Sequence, residues 1–397
     1  MSLILFQHIP KCGGTSIGEA IKHQFPSALC SDAPYLGAIE EEVKFSGKRQ
    51  VYSAHIRHAE IFQSELFTSQ PLILVTMLRD PIARVISQWK NFSDPDGHQQ
   101  HWPSKESARN MIGSSLITFL SQEKGAALDH VDNVMTRNLV SARSWKAKGE
   151  RDFYSEEMVN EAMDNLEKRY SAWGILEQLQ QSALRISKAL SVCPLENISN
   201  KNARPKSYSL SKAELGLIQS RNRMDIELYS RAVELFNMQA PLDQEDVVRS
   251  ALASIPKGQK SFHVASPIFS SDWDYIEEHP AGSYRWSKKK RARVFLPKVD
   301  ATHQIALTLI GHLEGIDIDG VEVDGALWER VSSEILTNDG HIKTRLVFGP
   351  PSCDVASARL DFMSLNVLSR VSEYGAGENC RALGVPLIQI DCLQHFA

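Results

Sequence analysis

A glycine-rich segment near the start of the sequence contains residue types that bind anions. The run LILFQHIPKCGGTSIGEAI at 3–21 reads as a buried strand, a glycine turn and the start of a helix. The turn offers a positive charge, two glycines and two hydroxyl groups, at Lys11, Gly13, Gly14, Thr15 and Ser16. Because the first N–H groups of a helix lack intrahelical acceptors, such a turn can hold a phosphate-like anion. The alternative is a tight strand–helix turn that carries a surface lysine.

The order of residues in this turn differs from that of loops that bind a nucleoside triphosphate with magnesium. Those loops end in Gly-Lys-Ser or Gly-Lys-Thr, so the lysine follows the glycines. Here Lys11 precedes both glycines, and no acidic residue is evidently placed for magnesium. The sequence therefore predicts an anion site that differs from a loop for a triphosphate with magnesium, and leaves open which anion it holds.

A second motif, MLRDPIARVISQW at 77–89, combines an arginine with a serine. Asp80 is placed to cap the helix that follows, and Arg84 and Ser87 fall on a face away from its apolar stripe. Arg79 is expected at the carboxyl end of the preceding strand, where open α/β sheets bind ligands. An arginine and a serine hydroxyl at such a place suit a phosphate monoester. The alternative is a capped amphipathic helix with a surface arginine.

Together, the two motifs resemble those of the sulfotransferases that use 3′-phosphoadenosine 5′-phosphosulfate (PAPS). The likeness is greatest to carbohydrate sulfotransferases related to the heparan sulfate 2-O enzymes, and it covers roughly residues 1–240. The resemblance implies that the 5′-phosphosulfate binds the first motif, at Lys11, Cys12, Gly13, Gly14, Thr15 and Ser16. It implies that Arg79 and Ser87 bind the 3′-phosphate. It also implies that a loop containing Arg204 and Lys206 closes over the nucleotide.

A short predicted strand ends at a histidine that is a candidate base. Sulfuryl transfer needs a group that accepts the proton of the attacking hydroxyl, and histidine is the usual choice near neutral pH. The segment RQVYSAHIRHAEIF at 49–62 places His55 at the strand end, and the resembled enzymes use a Tyr-x-x-His pattern there. The resemblance implies that His55 is the base, and Lys11 is placed to stabilise the leaving phosphate. His8, on the first strand, reads as a packed residue.

Several basic residues are candidates for binding an acceptor, which the resemblance implies to be a carbohydrate, and their charge suits an anionic glycan. Arg57 and His58 follow the candidate base, and the resemblance brings Arg137 near the acceptor or the adenine. Further candidates are Arg143, Lys146, Lys148 and the polar run HQQHW at 98–102. For these further residues a solvated surface is the alternative.

The elements that must position these residues alternate between strands and helices. Up to about residue 240, short apolar runs alternate with amphipathic segments, which predicts an α/β fold with a P-loop-like parallel sheet flanked by helices. PLILVTMLR at 71–79 reads as a second buried strand. The segments 178–190 and 211–239 read as helical, the latter with a capping box at its start. The predicted sulfotransferase domain is 1–250.

A second domain is predicted at 256–397, after a linker near 253–261. Alternating apolar and polar runs, separated by Gly, Pro, Asp and Asn, are typical of an antiparallel β-sandwich. The runs at 272–297 and 380–392 resemble a β-sandwich accessory domain found on bacterial glycosyltransferases. Its aromatic residues either stack on sugars or fill the core: Trp273, Tyr284 and Trp286. We hypothesise that this domain docks a glycan or a partner enzyme.

The composition restricts the class of protein. The chain has 397 residues, 42% of them apolar, and a net charge of −4, which argues against a dedicated nucleic-acid binder. Six scattered cysteines without a CxxC pair fit a reducing compartment and give no sign of structural zinc. No secretory signal and no run of about 18 apolar residues is present. A cytoplasmic, bacterial enzyme without a transmembrane segment is expected.

Two other functions stay open on the sequence alone. A P-loop kinase or nucleotidase would bind ATP with magnesium, but would leave Arg79 and Ser87 unexplained. A non-catalytic glycan-binding protein would not need Lys11 and His55. The sequence names neither the acceptor hydroxyl nor the oligomeric state.

Overall fold

The computed structural model describes most of the chain. The described residues are 2–31, 33–47, 49–94, 111–121, 130–141, 153–196, 198, 208–274, 276–298, 304–311, 318–338, 340–350, 362–374 and 381–393. The chain forms two compact units. The first comprises Met1–Gly18, Ser31–Ile186 and Ser199–Pro241, and the second comprises Glu19–Cys30, Ser187–Ile198 and Leu242–Ala397.

A parallel sheet lies at the centre of the first unit. Its strands, among the described residues, are β1 (Leu3–Gln7), β2 (Val51–Ala54), β3 (Leu72–Leu78) and β4 (Ala172–Ile175). They lie in the order β2-β1-β3-β4, and each neighbouring pair is parallel. All five residues of β1 are buried, as expected for a central strand whose two faces are covered. The predicted parallel α/β sheet is confirmed.

Helices flank this sheet. In the described part of the chain up to Met238 they are α1 (Gly14–Lys22), α2 (Leu36–Ser46), α3 (His58–Gln63), α4 (Glu65–Thr68), α5 (Pro81–Ser93), α6 (Leu116–Leu120), α7 (Val134–Leu139), α8 (Glu156–Arg169), α9 (Leu179–Leu190), α10 (Lys212–Arg221) and α11 (Arg223–Met238). The capping signals in the sequence set two of their starts. Asp80 accepts a hydrogen bond from the Ala83 amide at 2.8 Å, and Ser211 with Glu214 forms the predicted capping box. Within the described residues, no helix has the length and apolar character needed to cross a bilayer.

The helical segment predicted at 211–239 is interrupted at Asn222. The amides of Met224 and Asp225, at the start of α11, donate to the Asn133 side-chain oxygen at 2.9 and 3.2 Å. Asn133 comes from a distant part of the sequence and has a left-handed backbone, with φ of 43°. Because this side chain satisfies the first N–H groups of a new helix, the chain starts a second helix instead of continuing the first.

An antiparallel sheet dominates the second unit. Helix α12 (Gln244–Ala253) precedes the strands, which among the described residues are β5 (Ser261–His263), β6 (Arg285–Trp286), β7 (Arg291–Pro297), β8 (Gln304–Ile310), β9 (Ile318–Val323), β10 (Ala326–Asn338), β11 (His341–Gly349), β12 (Phe362–Ser369), β13 (Ser372–Tyr374), β14 (Arg381–Leu383) and β15 (Pro386–Leu393). The main sheet runs β5-β15-β8-β11-β10-β9-β12-β7, β6 also pairs with β15, and β13 pairs with β14. The start of β10 pairs with β9 and its remainder with β11, so the sheet curls. The predicted antiparallel β domain is confirmed, and its division into two sandwich layers stays a prediction.

The aromatic residues proposed to stack on sugars differ in their surroundings. Trp273 is 1% exposed and belongs to the apolar core of the second unit. Its indole N–H donates to the Arg293 carbonyl oxygen at 3.0 Å. Tyr284 and Trp286 are half-buried. Trp273 therefore fills the core, the alternative that the sequence left open, and is not available to a sugar.

A buried arginine connects separate segments of the second unit. Arg285 is 1% exposed and donates to four backbone carbonyl oxygens. The distances are 2.8 Å to His23, 3.0 Å to Gln24, 2.9 Å to Val264 and 3.2 Å to Asp274. Burial lowers the pKa of Arg285 to about 9, and the four carbonyl oxygens satisfy four of its five N–H donors. These hydrogen bonds hold the segment 19–30 within the second unit.

Candidate active site

The glycine turn lies between β1 and α1 and has little room for side chains. Lys11 and Gly13 have left-handed backbones, with φ of 66° and 82°. A Cβ at Gly13 would lie 2.6 Å from Leu176 Cδ1, and one at Gly14 would lie 1.8 Å from His8 Cδ2. Only glycine fits such close approaches without a shift of its neighbours. The two glycines are thus required by the packing of this turn.

The amides at the start of α1 form the anion-binding part of the turn. The first bond of the helix runs from the Ile17 amide to the Gly13 carbonyl oxygen, at 3.3 Å. The amides of Gly13–Ser16 have no hydrogen-bond acceptor among the described residues. They lie at the positive end of the helix dipole, where an anion is stabilised. The turn therefore fits a tetrahedral anion such as a phosphate or a sulfuryl group.

Cys12 shapes the turn. Its amide donates to the Ile9 carbonyl oxygen at 3.2 Å, so this N–H is already used within the turn. Its side chain is 1% exposed, and burial raises the pKa of the thiol to about 12. The thiol is therefore neutral at physiological pH. The turn leaves the amides that follow Cys12 to bind an anion.

The two sequence motifs meet at the backbone of Lys11. Arg79, directly after β3, donates from Nη1 to the Lys11 carbonyl oxygen at 3.0 Å. Its Nε is buried and has no hydrogen-bond partner among the described residues. The Lys11 ammonium lies 3.4 Å from the Asn91 side-chain oxygen on α5, and Ser87 is half-buried on the same helix. A buried guanidinium N–H without a partner is costly, so this position suits a bound anion.

Glu177 supports the start of the second motif, a contact that neither of the two motifs predicts. One carboxylate oxygen accepts from the Asp80 amide at 3.1 Å, next to Arg79, and the other accepts from the Tyr229 hydroxyl at 2.8 Å. Burial and the neighbouring Glu177 raise the pKa of Tyr229, so the phenol is a proton donor here. The Gly-x-x-Glu run that ends at Glu177 was the sequence signal for this support.

A buried polar network lies behind the site, on the face of α5 that carries Arg84. Arg84 is 0% exposed, contrary to its predicted place away from the core, and donates to the carbonyl oxygens of His130 and Val131 at 3.2 and 3.1 Å. Its Nε lies 4.0 Å from a carboxylate oxygen of Asp225. The prediction was wrong because Asp225, which neutralises this charge, lies 141 residues away and no local pattern reveals it.

The same carboxylate fixes the start of α7. Asp225 accepts from the amides of Met135 and Thr136 at 3.0 and 2.8 Å, and from the Thr136 hydroxyl at 2.8 Å. Carboxylates favour helix N-termini, where free N–H groups and the dipole attract negative charge. Arg137, predicted to approach the acceptor or the adenine, follows on this helix and is 6% exposed.

His55 has a defined tautomer. Its Nδ1 lies 2.7 Å from the carbonyl oxygen of His8, which can only accept, so Nδ1 carries the proton. The neutral ring then has its lone pair on Nε2. Partial desolvation lowers the pKa of His55, the hydrogen bond to His8 opposes this, and the charge of Lys11 lowers it further. The residue is nevertheless exposed to solvent.

His58 and Arg57 lie at the start of α3. His58 is 6% exposed, and burial lowers its pKa to about 4. Its Nδ1 lies 3.5 Å from the Tyr170 hydroxyl, which donates to the Gln7 side-chain oxygen at 2.7 Å. The Arg57 amide donates to Glu60 at 2.7 Å, within a capping box. His58 is thus a neutral packed ring, and the structure gives it no acceptor-facing position.

Other predicted residues lie outside the described residues. They are Arg204, Lys206, Arg143, Lys146, Lys148 and the run at 98–102. Lys11, Arg79 and the amides of Gly13–Ser16 are brought together, and His55 joins them through His8. In the described ranges, no group of three or more His, Cys, Asp and Glu side chains is placed to hold a metal ion.

Comparisons with known proteins relate this site to one family. The model of the sulfotransferase family matches residues 2–232. Among solved structures, mouse sulfotransferase SULT7A1 complexed with PAP matches with 17% identity and a TM-score of 0.27, over 60% of this chain and 89% of that chain. This TM-score is too low to carry structural detail from one protein to the other, and no curated protein sequence matches. Since the family model spans more than half of the chain, the protein belongs to the sulfotransferase family, whose enzymes transfer a sulfuryl group.

Proposed function

We propose that the chain transfers a sulfuryl group from PAPS to a hydroxyl group of a carbohydrate, in a polysaccharide or glycan precursor. The observation that carries this proposal is the convergence of the Gly13–Ser16 amides, Lys11 and Arg79. Two sets of donors in one place suit a nucleotide that carries both a 5′-phosphosulfate and a 3′-phosphate.

Each anionic group of PAPS has a matching set of residues. The amides of Gly13–Ser16, the hydroxyls of Thr15 and Ser16 and the Lys11 ammonium would hold the 5′-phosphosulfate. Arg79, through its unpartnered Nε, and Ser87 would hold the 3′-phosphate. Arg204 and Lys206 are proposed to close over the nucleotide. When bound, PAPS supplies the sulfuryl group and leaves as 3′-phosphoadenosine 5′-phosphate (PAP).

His55 is the proposed general base. The hydrogen bond from Nδ1 to the His8 carbonyl oxygen leaves Nε2 free to take the proton of the acceptor hydroxyl. The lowered pKa keeps the ring neutral at pH 7, which is the form that a base needs. The imidazolium formed in the reaction is stabilised by the same carbonyl oxygen.

Lys11 is proposed to stabilise the leaving phosphate. A positive charge is most effective where negative charge grows in the transition state. The left-handed backbone of Lys11 costs of the order of 1–3 kcal/mol for a residue with a side chain, and strain of this kind is concentrated at functional sites. The proposed reaction is an in-line displacement without a metal ion.

The acceptor side is proposed from the family resemblance. We place the enzyme near the carbohydrate sulfotransferases related to the heparan sulfate 2-O enzymes, acting in a bacterial cytoplasm. Arg57, His58 and Arg137 were the predicted acceptor contacts. Since His58 and Arg137 are each 6% exposed, Arg57 is the one we retain for direct contact. The second unit is proposed to form a β-sandwich that docks a glycan or a partner enzyme.

The nucleotide separates this function from its alternatives. Calorimetric titration would compare PAP in EDTA with ATP and magnesium. We expect micromolar binding of PAP without metal and no comparable binding of ATP. A preference for ATP with magnesium would replace the proposal by a kinase-like phosphotransferase. Binding of glycans without either nucleotide would indicate a non-catalytic protein.

A further inference from the structure

His8 lies between the candidate base and the glycine turn. Its ring stacks on that of His55, with centroids 4.0 Å apart and planes inclined by 25°. Its backbone oxygen accepts the Nδ1 proton of His55. Its ring also fills the space that a Cβ at Gly14 would need, with Nε2 2.1 Å from that position. One histidine therefore contacts both the candidate base and the turn.

This place puts the His8 ring at the border of the anion site. The Gly14 amide is one of the four N–H groups that lack an acceptor among the described residues. The imidazole nitrogens of His8 likewise have no hydrogen-bond partner in the described part of the chain, and the side chain is only partly buried. Because the ring lies beside Gly14, its nitrogens are available to a ligand that the amides bind.

The charges around His8 define its protonation. Burial lowers its pKa well below the ordinary value, and the facing groups His55 and Lys11 lower it further. The ring is therefore neutral, with one N–H donor and one acceptor. It can donate a hydrogen bond to an anion without competing with His55 for the acceptor proton.

We propose that His8 is a second catalytic histidine, which contacts the transferred sulfuryl group and holds the ring of His55 beside it. This inference rests on the proposed function. In the step, the bond from sulfur to the bridging phosphate oxygen breaks and a bond from sulfur to the acceptor oxygen forms. The proton of the acceptor hydroxyl passes to His55 Nε2. The electron pair of the broken sulfur–oxygen bond stays on the bridging oxygen of the leaving phosphate. His8 stays neutral and donates its N–H to a sulfuryl oxygen throughout.

The contact is tested by comparing two ligands that differ by the sulfuryl group. Calorimetry would give the affinities of PAPS and PAP for the wild type and for His8→Ala. We expect the ratio of PAPS to PAP affinity to fall about fivefold or more, with the PAP affinity changed less than twofold. His263→Ala, on β5 of the second unit, is the control and should leave both unchanged. An unchanged ratio would overturn the proposal.

The packing of the His8 ring against the His55 ring is tested by measuring the pKa of His55. Nuclear magnetic resonance of labelled histidine rings would give the pKa of His55 in each variant. Removing the His8 ring relieves desolvation, while the backbone hydrogen bond remains, so the pKa of His55 should rise in His8→Ala. His8→Asn keeps a donor at this site and serves if the alanine variant does not fold. It should retain more of the PAPS preference than alanine would. A His55 pKa that does not move, or an asparagine variant that loses PAP and PAPS affinity equally, would contradict the proposal.

The same binding measurements distinguish an error in the role of His8 from an error in the proposed function. If PAPS and PAP both fail to bind the wild type, the nucleotide assignment is wrong. If PAP binds the wild type but His8→Ala lowers the affinities of both ligands equally, the nucleotide assignment stands and His8 only shapes the turn.

Discussion

Arg79 donates a hydrogen bond to the backbone oxygen of Lys11, and this contact joins the ends of two parallel strands that are far apart in the sequence. Because parallel strands end at the same edge of a sheet, residues after β1 and β3 become neighbours there. The donor of one motif thereby stabilises the turn of the other. We expect loss of Arg79 to affect nucleotide binding through both its free Nε and this turn.

Replacing Arg79 with alanine should weaken PAP binding far more than binding of adenosine 5′-phosphate, which lacks the 3′-phosphate. A charge-assisted contact to phosphate contributes about 1.5–3 kcal/mol, so PAP affinity should fall about 10–100-fold. Arg249→Ala, an exposed arginine on α12, is the matched control. Calorimetry with both nucleotides measures the effect. Equal losses for the two nucleotides would show that Arg79 supports only the turn.

Replacing His55 with alanine should reduce turnover and leave nucleotide affinity nearly intact. General base catalysis contributes about 10²–10⁴-fold, so PAP release from PAPS should slow by that factor, with water or an oligosaccharide as acceptor. In the wild type, the neutral ring of His55 is the active form, and its pKa is lowered. The reaction rate should therefore decrease with falling pH only below about pH 6.5. A loss of PAP affinity in the variant would mean that His55 is structural.

Replacing Asp225 with asparagine should destabilise the first unit. The substitution leaves the buried charge of Arg84 uncompensated and weakens the hydrogen bonds that cap α7, at a cost of about 3 kcal/mol. Asp164→Asn, in an exposed pair with Lys168, should cost less than about 1 kcal/mol. Urea denaturation of both variants measures the difference. If both variants lose less than about 1 kcal/mol of unfolding free energy, the charge of Arg84 is compensated by groups other than Asp225.

Replacing Gly14 with alanine should strain the turn, because the new Cβ would meet the His8 ring at 1.8 Å. Overpacking of this kind costs about 1–3 kcal/mol. Gly216 on α10 has open space around its Cα, so Gly216→Ala should instead stabilise the protein by about 0.5–1 kcal/mol. Thermal denaturation compares the two. A gain of stability in both variants would show that His8 does not pack against residue 14.

The sequence predicted the features that depend on short segments. The buried strands β1 and β3, the turn between β1 and α1, the Asp80 cap and the capping box at Ser211 all follow from residues less than ten positions apart. Parallel topology then follows from the alternation of strands with helices. Together these give the fold of the first unit and the arrangement of Lys11 with Arg79.

Features that depend on distant residues were not predicted. Arg84 looked solvent-facing because its partner Asp225 lies on another helix, and the helix break at Asn222 depends on the Asn133 side chain. Helical periodicity cannot reveal such partners. The role of His8 likewise emerges only from its contacts with His55 and Gly14.

The segmented make-up of the second unit limits how the protein can be divided for study. Its residues 19–30 and 187–198 come from within the sequence of the first unit, and Arg285 binds the backbone of His23 and Gln24. No single cut of the polypeptide therefore yields two complete pieces. An expressed fragment that stops near residue 250 would keep 19–30 but lose Arg285, leaving two backbone oxygens without their donor. The contribution of the second unit to acceptor binding is better measured by point substitutions on the intact chain than by truncation.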